Sequence, residues 1–541
     1  MSNEPRPFAI EILDTTLRDG AQGEGIAFSA RDKLSVTETL DELGVAWIEA
    51  GNPGSNPKDL EFFRLAASLA LRRAKLCAFG STRKRGVKAA EDGQLQSLLS
   101  AETEGVAVFG KSWDLHVTQV LRVTEAENTA MIAETVGYLK DKGRIVIYDA
   151  EHFFDGWLAN PGYALATLRS AWDAGADRIV LCDTNGGTFP EDIAAGAAAV
   201  REFLKLPADR AGALGIHTHN DCGLALANAL CAVREGVRHI QGTLAGFGER
   251  CGNTALAALI PSLELKLKLR CLPEGNLVRL AELTRRVAEI ANVSLNEDMP
   301  YVGLHAFSHK AGMHADGILK ARRSFEHIDP AAVGNDRRFL ISEVGGRSAI
   351  AERAKKLDPG ITKDHPATLA LAEKLKGLEA SGWAFEGADA SFELLVRREL
   401  GRYTPLFHLE AYRVMSEHPA GETIACSHAW VKVLVEGQTE IAAAEGDGPV
   451  NALDGALRRA LTRFYPDLVQ VRLEDYKVRV IDGKDATAAR VRVLIESTDG
   501  RRSWNTLGVS ADIIDASRAA LVDSIEYKLI GDIERRYKAY L

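Results

Sequence analysis

The amino-terminal half of the chain alternates between short apolar runs and longer stretches in which apolar residues recur with helical spacing. Eight of the short runs predict β-strands: AIEIL (9–13), VAWIEA (45–50), AKLCAF (74–79), GVAVFG (105–110), RIVIYD (144–149), RIVLCD (178–183), ALGIHT (213–218) and HIQGTLAG (239–246). Helices are predicted between them, for example over residues 29–44 and 163–176. Strands that alternate with helices indicate βαβ units and a parallel sheet. Eight units in about 250 residues predict an α/β fold of the closed (β/α)8 TIM-barrel type.

An open, doubly wound sheet is the alternative arrangement for such units. A dinucleotide-binding sheet would carry a GxGxxG motif directly after its first strand, and the sequence has none there. Glycines stand at predicted helix ends, at Gly44, Gly175 and Gly236, where they suit helix C-caps that lead into the next strand. We therefore favour the closed barrel.

Two further regions follow the eighth predicted strand. Helical spacing dominates at first, with clear segments at residues 277–293 and 368–382. From about residue 391 apolar and polar residues alternate in four runs that predict half-buried strands: FELLVRREL (392–400), AWVKVLVEG (429–437), YKVRVIDG (476–483) and ARVRVLIES (489–497). Amphipathic helices are predicted between and after them, over residues 452–465 and 516–537.

Length and composition agree with a chain of several globular domains. The chain has 541 residues, of which 46% are hydrophobic and 26% are charged, and these values are ordinary for soluble domains. The patterns divide it into a TIM barrel over residues 1–270, a helical linker or accessory region over 271–390, and a C-terminal α+β domain over 391–541.

Charge and cysteine usage exclude several classes of protein. The formal net charge is -9 and acidic and basic residues are interleaved, so no basic face for nucleic acid is predicted. The seven cysteines are scattered and form no CxxC pair, which argues against a disulfide framework or a structural zinc ribbon. No apolar segment predicts a signal peptide or a membrane span. We expect a cytoplasmic protein with reduced cysteines and with neither a nucleic-acid nor a membrane partner.

Reactive side chains are concentrated where the predicted strands end. Six strands, the first, second, fifth, sixth, seventh and eighth, run into the polar segments LDTTLRDG, EAGNPG, YDAEHF, CDTNGG, HTHND and GFGERCGN. In a TIM barrel the active site lies at the carboxyl ends of the strands. Loops that only connected elements would not need to concentrate Asp, Glu, His and Arg in this way. The pattern therefore predicts an active site at this end of the barrel.

One group of these residues suits a divalent metal ion. His217 and His219 lie two residues apart at the end of the seventh strand, so both side chains point to the same side. Asp19 follows the first strand, which only the eighth separates from the seventh, and Asn253 follows the eighth. Such ligands accept Mn²⁺, Mg²⁺, Co²⁺ or Zn²⁺. An HxH motif alone is weak, because many histidines are only hydrogen-bonded structural residues; its position at a strand end strengthens the metal interpretation.

Arg18 precedes the predicted metal ligand Asp19. Its guanidinium group can pair with a substrate carboxylate through two hydrogen bonds. A salt bridge with Glu49, at the end of the second predicted strand, is the structural alternative, and the two interpretations are compatible.

The polar segments, taken in order, resemble a known family. LDTTLRDGAQ, YDAEHF, CDTNGG, HTHND and GERCGN are similar to motifs of the 2-isopropylmalate synthase, homocitrate synthase and citramalate synthase family, metal-dependent Claisen-condensing TIM barrels. KAGMHADGILK (310–320) resembles the family's accessory segment, and GDGPVNALDGAL (446–457) resembles its C-terminal regulatory dimer domain of the LeuA type. YDAEHFFDG and SFEHIDPAAVGN are most similar to the citramalate synthase branch. That branch implies condensation of acetyl-CoA with pyruvate and water to (R)-citramalate and CoA, in isoleucine biosynthesis.

The resemblance also implies roles for individual residues. The metal ligands that it implies are Asp19, His217, His219 and Asn253. The substrate-binding residues that it implies are Arg18, Thr184 and Asn253. The catalytic residues that it implies are Arg18, Glu151, His314 and Asp316. Either Glu151 or His314 would deprotonate acetyl-CoA. Phe325, eleven residues after His314, stands where the family commonly carries a tyrosine.

Alternatives to these interpretations remain open on the sequence. Glu151 can instead be a structural partner of His152 or Arg144. The same motifs serve 2-isopropylmalate and homocitrate synthesis, which differ in the size of the 2-oxo acid pocket. A retro-aldol lyase of the same superfamily is disfavoured by the long C-terminal region, and an amino-acid-binding regulator on a degenerate barrel is disfavoured by the intact arginine and metal positions. The resemblance further implies a homodimer under feedback control by an end product such as isoleucine.

Overall fold

The chain divides into two compact units. The computed structural model describes residues 10–206, 212–310, 312–339, 346–355, 357–417, 426–481 and 489–540. The first unit comprises Met1–Phe307 and His327–Arg337, and the second comprises Ser308–Glu326 and Arg338–Leu541.

A closed barrel of parallel strands forms the centre of the first unit. Each strand pairs with the next one along the chain, and the last pairs with the first. The strands are β1 (Glu11–Asp14), β2 (Trp47–Gly51), β3 (Lys75–Ser81), β4 (Gly105–Lys111), β5 (Ile145–Glu151), β6 (Arg178–Asp183), β7 (Leu214–Thr218) and β8 (His239–Gly242). All eight predicted strands are present, so the barrel prediction is confirmed and the open sheet is excluded.

Helices connect the strands of the barrel and follow its last strand. They are α1 (Ala30–Leu43), α2 (Pro57–Ala66), α3 (Gly93–Ser100), α4 (Glu125–Asp141), α5 (Phe153–Ala159), α6 (Pro161–Asp173), α7 (Pro190–Leu204), α8 (Ala225–Arg234), α9 (Leu256–Pro261) and α10 (Leu280–Ile290). In α1, the side chains of Ser29 and Asp32 each accept a hydrogen bond from the other's backbone N–H, which caps the first turn. Gly44 ends α1 with a φ of 93°, as its predicted C-cap role requires.

An apolar layer fills the interior of the barrel, inside the ring of strands. The inner layer consists of Leu13, Trp47, Cys77, Ala107, Ile147, Val180 and Cys182. Because side chains alternate along a strand, residues two and four positions after an inner-layer residue face the same way. Asp149 and Glu151 follow Ile147 at these steps, and Thr184 follows Cys182. The alternation therefore directs these polar side chains toward the carboxyl-terminal mouth of the barrel.

In the second unit, short strands and helices come before the longer antiparallel strands. Its elements are β9 (Ser308–His309), α11 (Gly312–Lys320), β10 (Arg338–Phe339), α12 (Gly346–Ala354), α13 (Pro366–Ala380), α14 (Asp389–Glu399), β11 (His408–Glu417), β12 (Cys426–Val435), β13 (Gln438–Gly446), α15 (Pro449–Thr462), β14 (Arg472–Val480), β15 (Val491–Thr498), β16 (Ser503–Ser510) and α16 (Ile513–Tyr540). The helices predicted over 277–293, 368–382, 452–465 and 516–537 are confirmed as α10, α13, α15 and α16.

One strand prediction in this unit is wrong. The segment FELLVRREL forms most of helix α14. Its buried apolar residues Phe392, Leu395 and Val396 follow the i, i+3, i+4 spacing of a helix face and pack with Leu371 and Leu375 of α13. Leu, Glu and Arg also favour helix. The strands predicted over 429–437 and 489–497 are confirmed as β12 and β15, and the described part of the strand predicted over 476–483 is confirmed as β14, since residues 482 and 483 lie outside the described residues. Strands β11, β13 and β16 were not predicted.

Two three-stranded sheets make up the carboxyl-terminal part of the second unit. β11, β12 and β13 form one sheet and β14, β15 and β16 form the other. Apolar residues of β12 and α15 share a buried core with those of β15 and α16, which includes Val431, Val433, Leu453, Leu457, Val493, Ile495, Ala520 and Leu521. The α+β character predicted for this region is confirmed. Within the described ranges no helix combines the length and the apolar character needed to cross a membrane.

Candidate active site

The carboxyl ends of the barrel strands surround a cavity of about 290 Å³. The residues predicted from the sequence that line this cavity are Arg18, Asp19, Glu151, Thr184, His217 and His219. Asn253, which follows β8, lies beside His219, because the two residues pair in an isolated antiparallel β-bridge. The fold thus brings together the site residues that were predicted on the barrel.

Asp19, His217 and His219 converge on one point of the cavity. Asp19 Oδ2 lies 3.2 Å from His217 Nε2 and 3.8 Å from His219 Nε2, and the two histidine Nε2 atoms are 3.3 Å apart. All three side chains are buried. Burial alone raises the pKa of Asp19, but Arg18 and His217 outweigh it and hold this pKa well below its usual range. Burial and the neighbouring His217 lower the pKa of His219 to about 4.

This donor set fits a divalent metal ion. At neutral pH Asp19 is a carboxylate and His219 is a neutral imidazole, and acceptor atoms packed this closely favour a cation between them. The Oδ1 of Asn253, the residue beside His219, is also buried without a hydrogen-bond partner among the described residues. Mixed imidazole, carboxylate and amide donors of this kind bind the ions predicted from the sequence.

Arg18 is held on three sides. Its Nε donates to Glu49 Oε2 at 2.5 Å, its Nη1 lies 3.3 Å from Asp19 Oδ2, and its guanidinium carbon stands 3.7 Å from the centre of the Phe79 ring. The predicted salt bridge with Glu49 is therefore present. Because Arg18 also lines the cavity, the same contacts fix its guanidinium group where a substrate carboxylate can reach it.

Glu151 forms an ion pair with Lys111 at the mouth of the barrel. Glu151 ends β5 and Lys111 ends β4, and the strand register places them opposite each other. The two alternative partners considered for Glu151 are engaged elsewhere: His152 Nδ1 lies 3.0 Å from Asp155 Oδ2, and Arg144 donates to the carbonyl of Thr103. The ion pair leaves the carboxylate of Glu151 on the wall of the cavity.

Thr184 connects the ends of β5 and β6. Its Oγ1 accepts a hydrogen bond of 2.8 Å from the backbone N–H of His152, which has a positive φ of 56°. A non-glycine residue rarely adopts this conformation, so the hydrogen bond helps to fix the backbone directly after Glu151. The carbonyl of Thr184 accepts a bond of 2.7 Å from Arg250 Nη2, and Arg250 pairs with both carboxylate oxygens of Asp221.

Several residues at or beside the cavity were not singled out in the sequence: Phe79, Phe109, Lys111, Asp149, Gln241 and Arg250. Phe79 and Phe109 stack with ring centres 5.3 Å apart and form an aromatic wall. Along β4, Phe109 and Lys111 follow the inner-layer residue Ala107 at steps of two residues. This alternation is the signal that could have identified Phe109 and Lys111 as residues that face the cavity. It was overlooked because the third and fourth strands do not run into a conspicuous polar motif.

His314 and Asp316 belong to the second unit, on helix α11. The ring of His314 stacks on Phe325 with centres 4.3 Å apart. Asp316 forms an ion pair with Lys320 and accepts a hydrogen bond of 3.3 Å from Ser348. Their predicted action on substrate at the barrel stays a prediction.

Three family models match consecutive parts of the chain. An HMGL-like model matches residues 9–287, a model described as homocitrate synthase post-HMGL domain-like matches 301–381, and the LeuA allosteric (dimerisation) domain matches 386–529. The first match covers the whole barrel.

Curated relatives align along almost the full chain. (R)-citramalate synthase from Aquifex aeolicus is 49% identical, with 97% of this chain and 98% of the relative covered. (R)-citramalate synthase from Geobacter sulfurreducens is 48% identical over 96% of this chain and 97% of the relative. A probable 2-isopropylmalate synthase from Methanopyrus kandleri is 30% identical over 96% and 98%. The chain belongs to the 2-isopropylmalate synthase and homocitrate synthase family, in its (R)-citramalate synthase branch.

Proposed function

We propose that this protein condenses acetyl-CoA with pyruvate and water to give (R)-citramalate and CoA. The observation that carries the proposal is the high similarity to one branch of the family. Five curated (R)-citramalate synthases are 45–49% identical along nearly the whole chain, whereas relatives that are 29–30% identical carry both names, a probable 2-isopropylmalate synthase and two putative (R)-citramalate synthases.

The proposed reaction uses a divalent metal ion, Mn²⁺, Mg²⁺, Co²⁺ or Zn²⁺. Asp19, His217, His219 and Asn253 would hold it. When bound, such an ion polarises the carbonyl group of a 2-oxo acid as a Lewis acid. The lowered pKa of Asp19 keeps its carboxylate ionised for this purpose.

Arg18 and Thr184 bind the 2-oxo acid in the proposed complex. Glu49 engages the Nε of Arg18 and Phe79 covers one face of its guanidinium group, so the side chain is fixed before substrate arrives. Its positive charge pairs with the carboxylate of pyruvate and opposes the negative charge that develops on the carbonyl oxygen. Thr184 lines the same cavity and supplies a hydroxyl group.

Glu151 is the proposed base that takes a proton from the methyl carbon of acetyl-CoA. The carbanion attacks the carbonyl carbon of pyruvate, a carbon–carbon bond forms, and the resulting alkoxide takes up a proton. Water then cleaves the carbon–sulfur bond of the thioester and CoA leaves as a thiol. Glu151 lines the cavity with Arg18, whereas His314, on the second unit, is the alternative base, with Asp316 as a further catalytic residue.

The remaining predictions concern organisation and control. We propose the division into a catalytic barrel (1–270), an accessory region (271–390) and a regulatory dimerisation domain (391–541), a homodimer, and feedback by isoleucine. The match to a LeuA allosteric (dimerisation) domain supports the dimer and the control. The seven free cysteines agree with a cytoplasmic location.

Release of free CoA tests the proposal directly. Acetyl-CoA is supplied with pyruvate, 2-oxoisovalerate or 2-oxoglutarate, each with Mn²⁺ and with a chelator, and a thiol reagent reports CoA. We expect release with pyruvate and Mn²⁺ only. Asp19→Asn should abolish it, while the control Glu61→Gln, at an exposed position of α2, should not. Faster release with 2-oxoisovalerate would assign 2-isopropylmalate synthesis, and no release with any oxo acid would favour the lyase or the regulator.

A further inference from the structure

Gln241 connects a predicted metal ligand to a buried carboxyl group across the interior of the barrel. Its Oε1 lies 2.8 Å from Nδ1 of His217, and its Nε2 donates to Asp149 Oδ1 at 2.9 Å. Gln241 is on β8, His217 is its register neighbour on β7, and Asp149 is on β5. The three side chains are buried, with exposed fractions of 1%, 5% and 4% respectively. Water therefore cannot substitute for either hydrogen bond without a rearrangement of the core.

The two hydrogen bonds determine which way the amide of Gln241 faces. Burial raises the pKa of Asp149 to about 7, so above this pH its carboxylate only accepts hydrogen bonds, the NH₂ group of the amide faces Asp149 and the carbonyl oxygen faces His217. Since that oxygen also only accepts, His217 Nδ1 must carry the proton. The other ring nitrogen, Nε2, is then the one left to bind a metal ion, which would displace the proton that Asp19 Oδ2, 3.2 Å away, attracts to this nitrogen.

Nε2 of His217 is the atom that points to the predicted metal position. It lies 3.2 Å from Asp19 Oδ2 and 3.3 Å from His219 Nε2. A histidine binds a metal ion only through an unprotonated nitrogen, and the hydrogen bond of its other nitrogen sets the tautomer. Without the Asp149–Gln241 pair, a neutral His217 could carry its proton on Nε2 instead of Nδ1. In that tautomer Nε2 could not bind a metal ion.

We propose that Gln241, oriented by Asp149, is a positioning residue that holds His217 in the Nδ1–H tautomer and so prepares the metal site. The inference rests on the proposed metal site and not on which 2-oxo acid the enzyme uses. Gln241 does not line the cavity, so it acts through His217 rather than on substrate.

Metal binding of the full chain tests this role without an activity assay. Calorimetric titration with Zn²⁺ at pH 8 is compared for the wild type, Gln241→Leu and Gln241→Glu. Gln241→Leu should weaken binding by roughly 10- to 100-fold. Gln241→Glu keeps an acceptor for His217 Nδ1–H, and the proton that two facing buried carboxyl groups share replaces the amide donor to Asp149, so this variant should restore most of the affinity. Asn228→Leu is the control, since it removes another buried amide, which donates to the carbonyl of Thr188, and should leave the affinity unchanged.

The protonation of His217 Nδ1 is measured on the metal-free wild type. Nitrogen-15 spectra of histidine-labelled protein at pH 8, assigned with His217→Gln, should show the proton on Nδ1. An Nδ1 that carries no proton overturns the proposal, as would wild-type affinity in Gln241→Leu. Those results leave the metal site intact, whereas a wild type that binds no Zn²⁺ overturns the proposed site and this inference together.

Discussion

Lys111 and Glu151 form an ion pair across the carboxyl ends of two neighbouring strands. The register of β4 and β5 sets the two residues opposite each other. Their side chains are 15% and 25% exposed, so the pair is largely shielded from water. Glu151 also lines the cavity. The carboxylate that we propose as the base is therefore paired with the positive charge of Lys111.

The first prediction concerns Glu151 itself. Glu151→Gln keeps the size of the side chain but cannot accept a proton from acetyl-CoA. We expect kcat for CoA release with pyruvate to fall by about 10²- to 10⁴-fold, the usual contribution of a general base. The KM for pyruvate should change little, since Arg18 and the predicted metal ligands are untouched. Steady-state kinetics with both substrates varied measures the two effects separately.

Lys111→Met is the matched variant for this prediction. It leaves the proposed base in place and removes only the partner that holds it, so we expect a smaller fall in kcat than for Glu151→Gln. The same comparison is made with His314→Asn. If Glu151→Gln retains wild-type kcat and His314→Asn loses it, the base is His314.

A second prediction follows from the contacts of Arg18. Arg18→Lys keeps the positive charge but loses the planar group that Glu49 and Phe79 hold in place. Loss of one charge-assisted hydrogen bond to pyruvate should lower kcat/KM for pyruvate by about 10- to 100-fold. The KM for acetyl-CoA should stay close to the wild-type value. An equal rise in both KM values would contradict a specific role in binding the 2-oxo acid.

A third prediction concerns the aromatic wall of the cavity. Phe109→Ala removes one of the two stacked rings, and the space gained favours a longer 2-oxo acid. Since one methylene group changes specificity by about 10- to 200-fold in an apolar pocket, we expect the ratio of kcat/KM for 2-oxoisovalerate to that for pyruvate to rise at least tenfold. Val478→Ala, at an exposed position of β14 in the second unit, is the control. An unchanged ratio in Phe109→Ala would show that the wall does not select the substrate.

The barrel and the convergence of its site residues were predictable because local patterns encode them. β-branched runs indicate the strands, and a closed parallel barrel brings the carboxyl ends of all strands to one side. Asp19 therefore meets His217 and His219, although about 200 residues separate Asp19 from the two histidines in the sequence. A pattern of apolar spacing, an acid and an HxH motif was sufficient for this part of the site.

The supporting residues were harder to predict because their partners are distant in sequence and polar residues at their positions have many explanations. Gln241 makes its two hydrogen bonds to residues 24 and 92 positions away, and no local motif marks it. The prediction of a strand over 392–400 was wrong for a related reason. In a segment this short, packing against α13 decides between helix and strand, and the alternation of apolar and polar residues does not reveal that packing.

Glu526, on α16 of the second unit, is a buried carboxyl group with an unusual titration. It is 1% exposed, and its Oε1 accepts a hydrogen bond of 3.0 Å from the backbone N–H of Leu406. Burial outweighs this hydrogen bond and raises the pKa of Glu526 from 4.5 to about 7. Between these two values the folded state holds a proton that the unfolded state has lost. The stability of the folded state should therefore fall as pH rises from about 4.5 to 7, by up to about 3 kcal/mol.

The fourth prediction is that Glu526→Gln removes this part of the pH dependence. The amide keeps an acceptor for the Leu406 N–H and cannot ionise, so the variant should gain melting temperature relative to the wild type at pH 8 but not at pH 4.5. Calorimetry at both pH values measures the difference, which separates Glu526 from other buried carboxyl groups such as Asp14, whose pKa burial also raises to about 7. Glu445→Gln, at an exposed residue of β13, should melt in parallel with the wild type. If Glu526→Gln also does so, the carboxyl group ionises in the fold without cost, and its burial does not control the stability of this unit.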